Sequence, residues 1–130
     1  MNGAELRLKR MTLGISAQEF AERAGVDRRT LQRWETDSRE ITPAAAALIN
    51  DLWERRIDKI DKVLAYCERM EEEHGSMDAV TLDLYVTGQS HHRADPEQTW
   101  AEHTAQVGAL YTALELADFP VSVVYAPEEP

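Results

Sequence analysis

Two signals for the start of a helix, at Ser16 and at Asp27, lie close together between residues 15 and 31. They constrain the fold more than any other feature of the sequence. Ser16 and Glu19 form a capping-box pair, which predicts that a helix begins at Ser16. Gly25 can end that helix, because glycine tolerates the left-handed conformation of a helix C-terminus. Asp27 can then cap a second helix. Only two or three residues separate the two helices, so the sequence predicts a sharp crossing between them.

A polar pair interrupts the predicted core of this segment. Asn2 and Glu5 predict the start of an earlier helix, whose apolar stripe contains Arg10. On the helix after Asp27, Leu31 and Glu35 lie one turn apart, so Glu35 faces inward if Leu31 does. A buried carboxylate needs a partner, and Arg10 is the expected one.

The charge of the chain is unevenly distributed. Its 130 residues include 24 acidic and 14 basic side chains, which argues against coating of nucleic acid by bulk charge. Residues 1–43 carry eight basic and seven acidic side chains, whereas residues 44–130 carry six and seventeen. Arg28, Arg29 and Arg33 fall within six positions, so any phosphate contact is expected in this first third.

The segment RLKRMTLGISAQEFAERAGVDRRTLQRWE, residues 7–35, resembles the helix-turn-helix of the Xre and lambdoid-phage repressor family. The residues that match the family pattern are Arg10, Ala21, Gly25, Val26, Leu31 and Glu35. The resemblance implies that the helix beginning near Arg28 enters the major groove of DNA. Ala17 departs from the pattern, because many members have glutamine there and this chain has Gln18 one position later.

This resemblance gives candidate DNA contacts, although each of these side chains could also belong to an ordinary solvated helix face or a helix cap. The expected base contacts are Arg28, Arg29, Gln32 and Arg33. The expected phosphate contacts are Lys9, Ser16, Gln18, Thr30 and Arg39.

The rest of the chain predicts a long helix and a small α+β tail. Thr42 and Pro43 open a helical pattern that extends to Gly75. Residues 80–86 alternate as a strand, residues 87–92 read as a polar loop, Asp95 and Pro96 open another helix, and residues 121–125 form a second strand. The expected fold is therefore mainly α, with a DNA-binding domain over residues 1–75 and a dimerisation region over residues 76–130.

Two features of the tail favour a homodimer. Two strands make a poor sheet alone, and small residues allow a second helix to approach. The expected contact residues are Ala105, Gly108, Ala109 and Thr112. The pattern from Trp100 to Tyr111 also resembles, weakly, anti-CRISPR-associated autorepressors, which are short dimeric regulators.

Other chemistries have little support in the sequence. His91 and His92 are adjacent on the predicted loop, a position typical of solvated rather than metal-ligating side chains, and His103 is expected to pack beside Trp100. Cys67 has no second cysteine to pair with. No nucleophile–base spacing or phosphate-binding loop is found, so we expect neither an enzyme nor a cofactor. The absence of long apolar runs favours a cytoplasmic protein without a membrane partner.

The sequence thus predicts a DNA-binding transcriptional regulator, a homodimeric repressor of its own operon that binds a pseudo-palindromic duplex site. The alternatives are an antitoxin-like module whose acidic tail binds a protein partner, and an RNA-binding regulator that uses the same basic face.

Overall fold

The computed structural model describes residues 1–95 and 97–127, and the protein is mainly helical with one small sheet. Contacts divide the chain into two compact units, Met1–Arg56 and Ile57–Pro130, whereas the sequence-based boundary lies at the end of the long helix. The elements are α1 (Gly3–Leu13), α2 (Ala17–Ala24), α3 (Arg28–Glu35), α4 (Pro43–His74), β1 (Val80–Leu84), α5 (Gly88–Ala94), α6 (Trp100–Leu116) and β2 (Val121–Tyr125).

Local capping chemistry positions the first three helices. The side chains of Asn2, Ser16 and Asp27 each accept a hydrogen bond from the backbone N–H three residues further on. These bonds satisfy donors that a helix N-terminus leaves free. Gly14 and Gly25 end α1 and α2 with φ values of 78° and 70°, which glycine adopts without a steric penalty. The short turns therefore hold α2 and α3 at the predicted positions.

The N-terminal unit has one apolar core. Phe20 and Leu6 are fully buried, and Trp34 is buried on the inner side of α3. Burial of such side chains is the main driving force for folding of a small unit. The complete set of buried core residues is Leu6, Leu13, Ile15, Phe20, Ala21, Leu31, Trp34, Ala45 and Ile49.

The start of α1 lies directly against the end of α3. The N–H of Gly3 donates to Oδ1 of Asp37 at 2.7 Å. A Cβ added at Gly3 would overlap the carbonyl oxygens of Trp34 and Glu35. Glycine is therefore required here by close approach rather than by an unusual backbone angle.

We expect Gly3→Ala to lower the free energy of unfolding by about 1–3 kcal/mol, because its Cβ overpacks this contact. Ala4→Ser changes the neighbouring exposed residue and is the matched control, expected to stay within about 0.5 kcal/mol of the parent. Chemical denaturation followed by circular dichroism measures both variants. Equal midpoints for Gly3→Ala and the parent protein would contradict the close approach.

The C-terminal unit contains a two-stranded parallel sheet. β1 pairs with β2 from Val80 opposite Val121 to Leu84 opposite Tyr125. Parallel strands need a crossover connection, which α5 and α6 supply here. The buried apolar residues of this unit are Cys67, Val107, Leu110 and Leu114. Burial raises the pKa of the Cys67 thiol, with a further contribution from Glu71, so the thiol is protonated at neutral pH.

Two local predictions in the tail are wrong. The expected polar loop over residues 87–92 instead forms most of α5, with Thr87 as its N-cap. The helix expected to open at Asp95 begins at Trp100, because Thr99 and Glu102 form a reciprocal capping box there. Asp95 accepts hydrogen bonds from the N–H groups of residues 97 and 98 in the intervening turn. Pro96, the other half of that prediction, lies outside the described residues.

Within residues 1–95 and 97–127, no helix combines the length and the apolar composition required to cross a membrane.

Candidate nucleic-acid interface

The outer side of α3 carries the four side chains that the sequence predicts as base contacts. Leu31 and Trp34 are buried, which turns the opposite side of this eight-residue helix outward. The side chains on the outer side are Arg28, Arg29, Gln32 and Arg33, and all four are exposed. The helix therefore presents three guanidinium groups and one amide to solvent.

A groove of about 470 Å³ lies beside α3. Arg28, Arg29 and Gln32 line it, together with Arg7 from α1. Arg33 is not among the lining residues. The structure thus brings together three of the four expected base contacts and adds an arginine that the sequence analysis did not select.

Arg7 could have been recognised only from the crossing of α1 and α3. It lies three positions before Arg10, so the two side chains share one side of α1. Arg10 lines the same groove, along with Ala17, Leu31 and Glu35. Arg7 therefore lines the groove because this side of α1 faces α3 where the two helices cross.

An ion pair joins α1 to α3 at this groove. Arg10 Nε and Nη2 donate to the two carboxylate oxygens of Glu35 at 2.8 and 3.0 Å. The third nitrogen, Nη1, donates to the carbonyl oxygen of Ile15 at 3.0 Å, just before α2. Bidentate geometry and an additional backbone acceptor satisfy the charges that this largely buried pair removes from water.

We expect Arg10→Met to destabilise the N-terminal unit by about 3–5 kcal/mol, because it leaves Glu35 buried without its cation. Combining Arg10→Met with Glu35→Leu should recover part of the loss. Arg55→Met is the matched control, because Arg55 pairs with Asp51 on the exposed surface of α4. Thermal unfolding that leaves Arg10→Met as stable as the parent would contradict the buried pair.

The cap of α3 is also an electrostatic feature of this surface. Asp27 accepts from the N–H of Thr30 at 2.7 Å. Hydrogen bonding by Thr30 lowers the pKa of Asp27, and Arg33 and Arg29 lower it further. The Asp27 carboxylate is therefore ionised at neutral pH, and its negative charge interacts favourably with the positive N-terminal end of the helix dipole.

The expected phosphate contacts occupy varied surroundings. Ser16 caps α2, and the side-chain amide of Gln18 donates to Glu22 at 2.8 Å. Lys9 donates to Asn50 at 3.1 Å and lies 5.6 Å from the centre of the Trp53 ring. Thr30 is engaged with the cap of α3, as described above, and Arg39 is exposed. A phosphate contact by Lys9 or Gln18 would compete with these internal partners.

In the C-terminal unit, the four residues expected to form a dimer contact lie on α6. Ala105 and Ala109 are partly buried, whereas Gly108 and Thr112 are exposed. Thr112 donates its hydroxyl to the carbonyl oxygen of Gly108 at 2.8 Å. Among the described residues, and apart from the backbone of α6 itself, no atom lies within 4 Å of a Cβ added at Gly108, so the surface over this glycine is open.

One of the tail histidines differs from its expected surroundings. His91 is 1% exposed, so the prediction of a solvated loop side chain is wrong. It is buried because α5 places it edge-on against Tyr85, with ring centres 5.2 Å apart. His103 is partly buried and packs against Tyr85 as well, at 5.0 Å. Among the described residues, no three His, Cys, Asp or Glu side chains are arranged to hold a metal ion.

Comparison with known families agrees with this geometry. Residues 6–52 match the family model described as helix-turn-helix, which covers α1, α2, α3 and the first part of α4. The match supports an Xre-type helix-turn-helix domain over these residues and a DNA-binding transcription regulator of that type. Domains of this family are generally regulatory rather than enzymatic. No curated protein matches the chain.

Proposed function

We propose that the protein is a homodimeric repressor of its own operon that places α3 in the major groove of a pseudo-palindromic DNA site. The observation that carries this proposal is the shared groove of Arg7, Arg28, Arg29 and Gln32 beside α3. In helix-turn-helix proteins, the N-terminal residues of the second helix of the motif contact base edges. Arg28 and Arg29 are the first two residues of α3.

The side chains of α3 have the geometry needed for base recognition. Arginine can donate two hydrogen bonds to O6 and N7 of guanine, and glutamine can pair with N6 and N7 of adenine. We assign base contacts to Arg28, Arg29 and Gln32, with Arg33 further along the helix. The phosphate contacts that fix the register are assigned to Lys9, Ser16, Gln18, Thr30 and Arg39.

The acidic remainder of the chain supports a different task for the tail. Residues 44–130 have a net charge of −11, so they bind a phosphate backbone poorly. A single recognition helix covers only one half-site, whereas a twofold dimer covers two half-sites about one helical turn apart. We therefore assign the joining of two copies to the C-terminal unit.

Uncovered apolar surface in this unit supports the dimer. Two-stranded sheets are marginally stable alone, and parallel sheets are usually covered on both faces. Val124 and Tyr125 of β2 are nevertheless exposed, the latter at 66%. On α6, the open surface over Gly108 leaves room for a second helix. We propose that Ala105, Gly108, Ala109 and Thr112 form the helix contact.

We expect Arg28→Ala and Arg29→Ala each to weaken binding by about 1–3 kcal/mol on a duplex selected from a random pool, and to relax preference at one or two base pairs. Arg55→Ala removes an exposed arginine of α4 and is the matched control, expected to bind as the parent does. Fluorescence anisotropy with mismatched duplexes measures both effects. Unchanged affinity and sequence preference in both α3 variants would refute the assignment.

Competition with RNA tests whether the protein binds DNA or RNA. An unlabelled duplex DNA of the selected sequence should displace the labelled DNA, while a single-stranded or hairpin RNA of equal length should not. Stronger displacement by RNA would contradict a DNA operator as the ligand and favour the RNA-binding alternative.

We expect Gly108→Glu to give monomers with a folded N-terminal unit, because its side chain blocks helix approach and adds like charge across the twofold axis. Ala65→Glu adds the same charge at an exposed position of α4 and is the matched control, expected to leave the parent's dimer intact. Equilibrium sedimentation at micromolar concentration measures the assembly. A monomeric parent with full affinity for one half-site would contradict the dimer and favour a protein partner for the acidic tail.

A further inference from the structure

His91 is a titratable side chain in the interior of the C-terminal unit, and the proposed DNA contacts do not use it. It lies on α5, is 1% exposed, and its Nε2 has no hydrogen-bond partner among the described residues. A buried polar atom without a partner costs free energy, and a buried charge without one costs far more. The site therefore tolerates the neutral ring and disfavours the protonated ring.

The surroundings of His91 connect α5 to α6 and to the end of β1. The His91 ring centre lies 5.2 Å from that of Tyr85 and 5.4 Å from that of His103 on α6. Nε2 of His103 lies 2.8 Å from the carbonyl oxygen of Asp83, so this nitrogen is already engaged with β1. At the other end of α5, Gly88 packs closely against Trp100: a Cβ added at Gly88 would lie 3.2 Å from the nearest atom of the Trp100 ring.

We propose that His91 is an acid-sensitive latch: its neutral ring holds α5 against α6, and protonation of the ring releases α5 from the C-terminal unit. The seven residues of α5 make a helix too short to be stable without packing. Release therefore unfolds α5 locally and gives the charged imidazolium access to water.

Some of the charged and titratable groups around the His91 ring lower its pKa, and others raise it. Desolvation lowers the pKa of His91, His103 and His92 lower it further, and Asp95 and Glu102 oppose them. Tyr85 also faces the ring through its edge contact. Because the proton binds more tightly when α5 is released, the closed form loses stability as pH falls through 6.5 toward the lowered pKa, and keeps it above 6.5.

Nuclear magnetic resonance of the intact protein tests the latch. We expect the pKa of His91 to lie below the ordinary value of 6.5, and the amides of residues 88–94 to lose protection at pH 5 relative to pH 7.5, after correction for intrinsic exchange. A proton that binds tenfold more tightly to the released form would raise the opening equilibrium by up to about tenfold. A His91 pKa at or above 6.5, or full protection of α5 at pH 5, would overturn the proposal.

Two variants at adjacent positions distinguish release of α5 through His91 from general unfolding in acid. His91→Leu keeps an apolar side chain against Tyr85 and should keep α5 protected at pH 5. His92→Leu removes the neighbouring exposed histidine and should retain the acid response of the parent. An equal acid response in His91→Leu and the parent would contradict the latch. If His91→Leu does not fold, the titration of the parent decides the question.

Discussion

The bidentate contact between Arg10 and Glu35 holds together the surface that we propose binds DNA. It connects α1 to α3, and the third nitrogen of the same guanidinium binds the backbone just before α2. One side chain therefore constrains the positions of α1, α2 and α3 relative to one another. Glu35, Leu31 and Trp34 fix the inner side of α3 and thereby orient the exposed arginines, to which we assign the base contacts.

Local chemistry explains why the N-terminal helices could be predicted from the sequence. Ser16, Asp27 and Gly25 act within their own turns, so their roles depend little on the rest of the fold. The pairing of Arg10 with Glu35 was also predictable, because a charged residue on an apolar stripe requires a partner of opposite sign. Arg7 carried no such signal, since its position in the same groove as Arg28 depends on how α1 and α3 cross.

The tail was harder to predict because its local signals are weak and its packing is non-local. Residues 88–94 have no apolar periodicity, and α5 forms where His91 and Gly88 pack against Tyr85 and Trp100. The start of α6 was misplaced because Asp95 and Thr99 are both good caps, and only Thr99 has Glu102 to complete the box. The assignments of base contacts and dimer residues remain predictions that geometry supports.

The uneven charge suits a molecule with two tasks. A net charge of −10 limits non-specific attraction to nucleic acid, so in our proposal affinity depends on the few basic side chains at the groove. The acidic C-terminal unit contributes repulsion from phosphate and, in our proposal, the contact that joins two N-terminal units. In that proposal, two half-site contacts made together bind the full site more tightly than either contact alone.

The most direct test of this account is dimethyl sulfate protection of a selected duplex by the intact protein. Dimethyl sulfate methylates N7 of guanine in the major groove and N3 of adenine in the minor groove. We predict protection of guanine N7 in two clusters whose centres lie about one helical turn, 10–10.5 base pairs, apart. Protection confined to adenine N3, or a single cluster, would contradict a dimer that reads the major groove through α3.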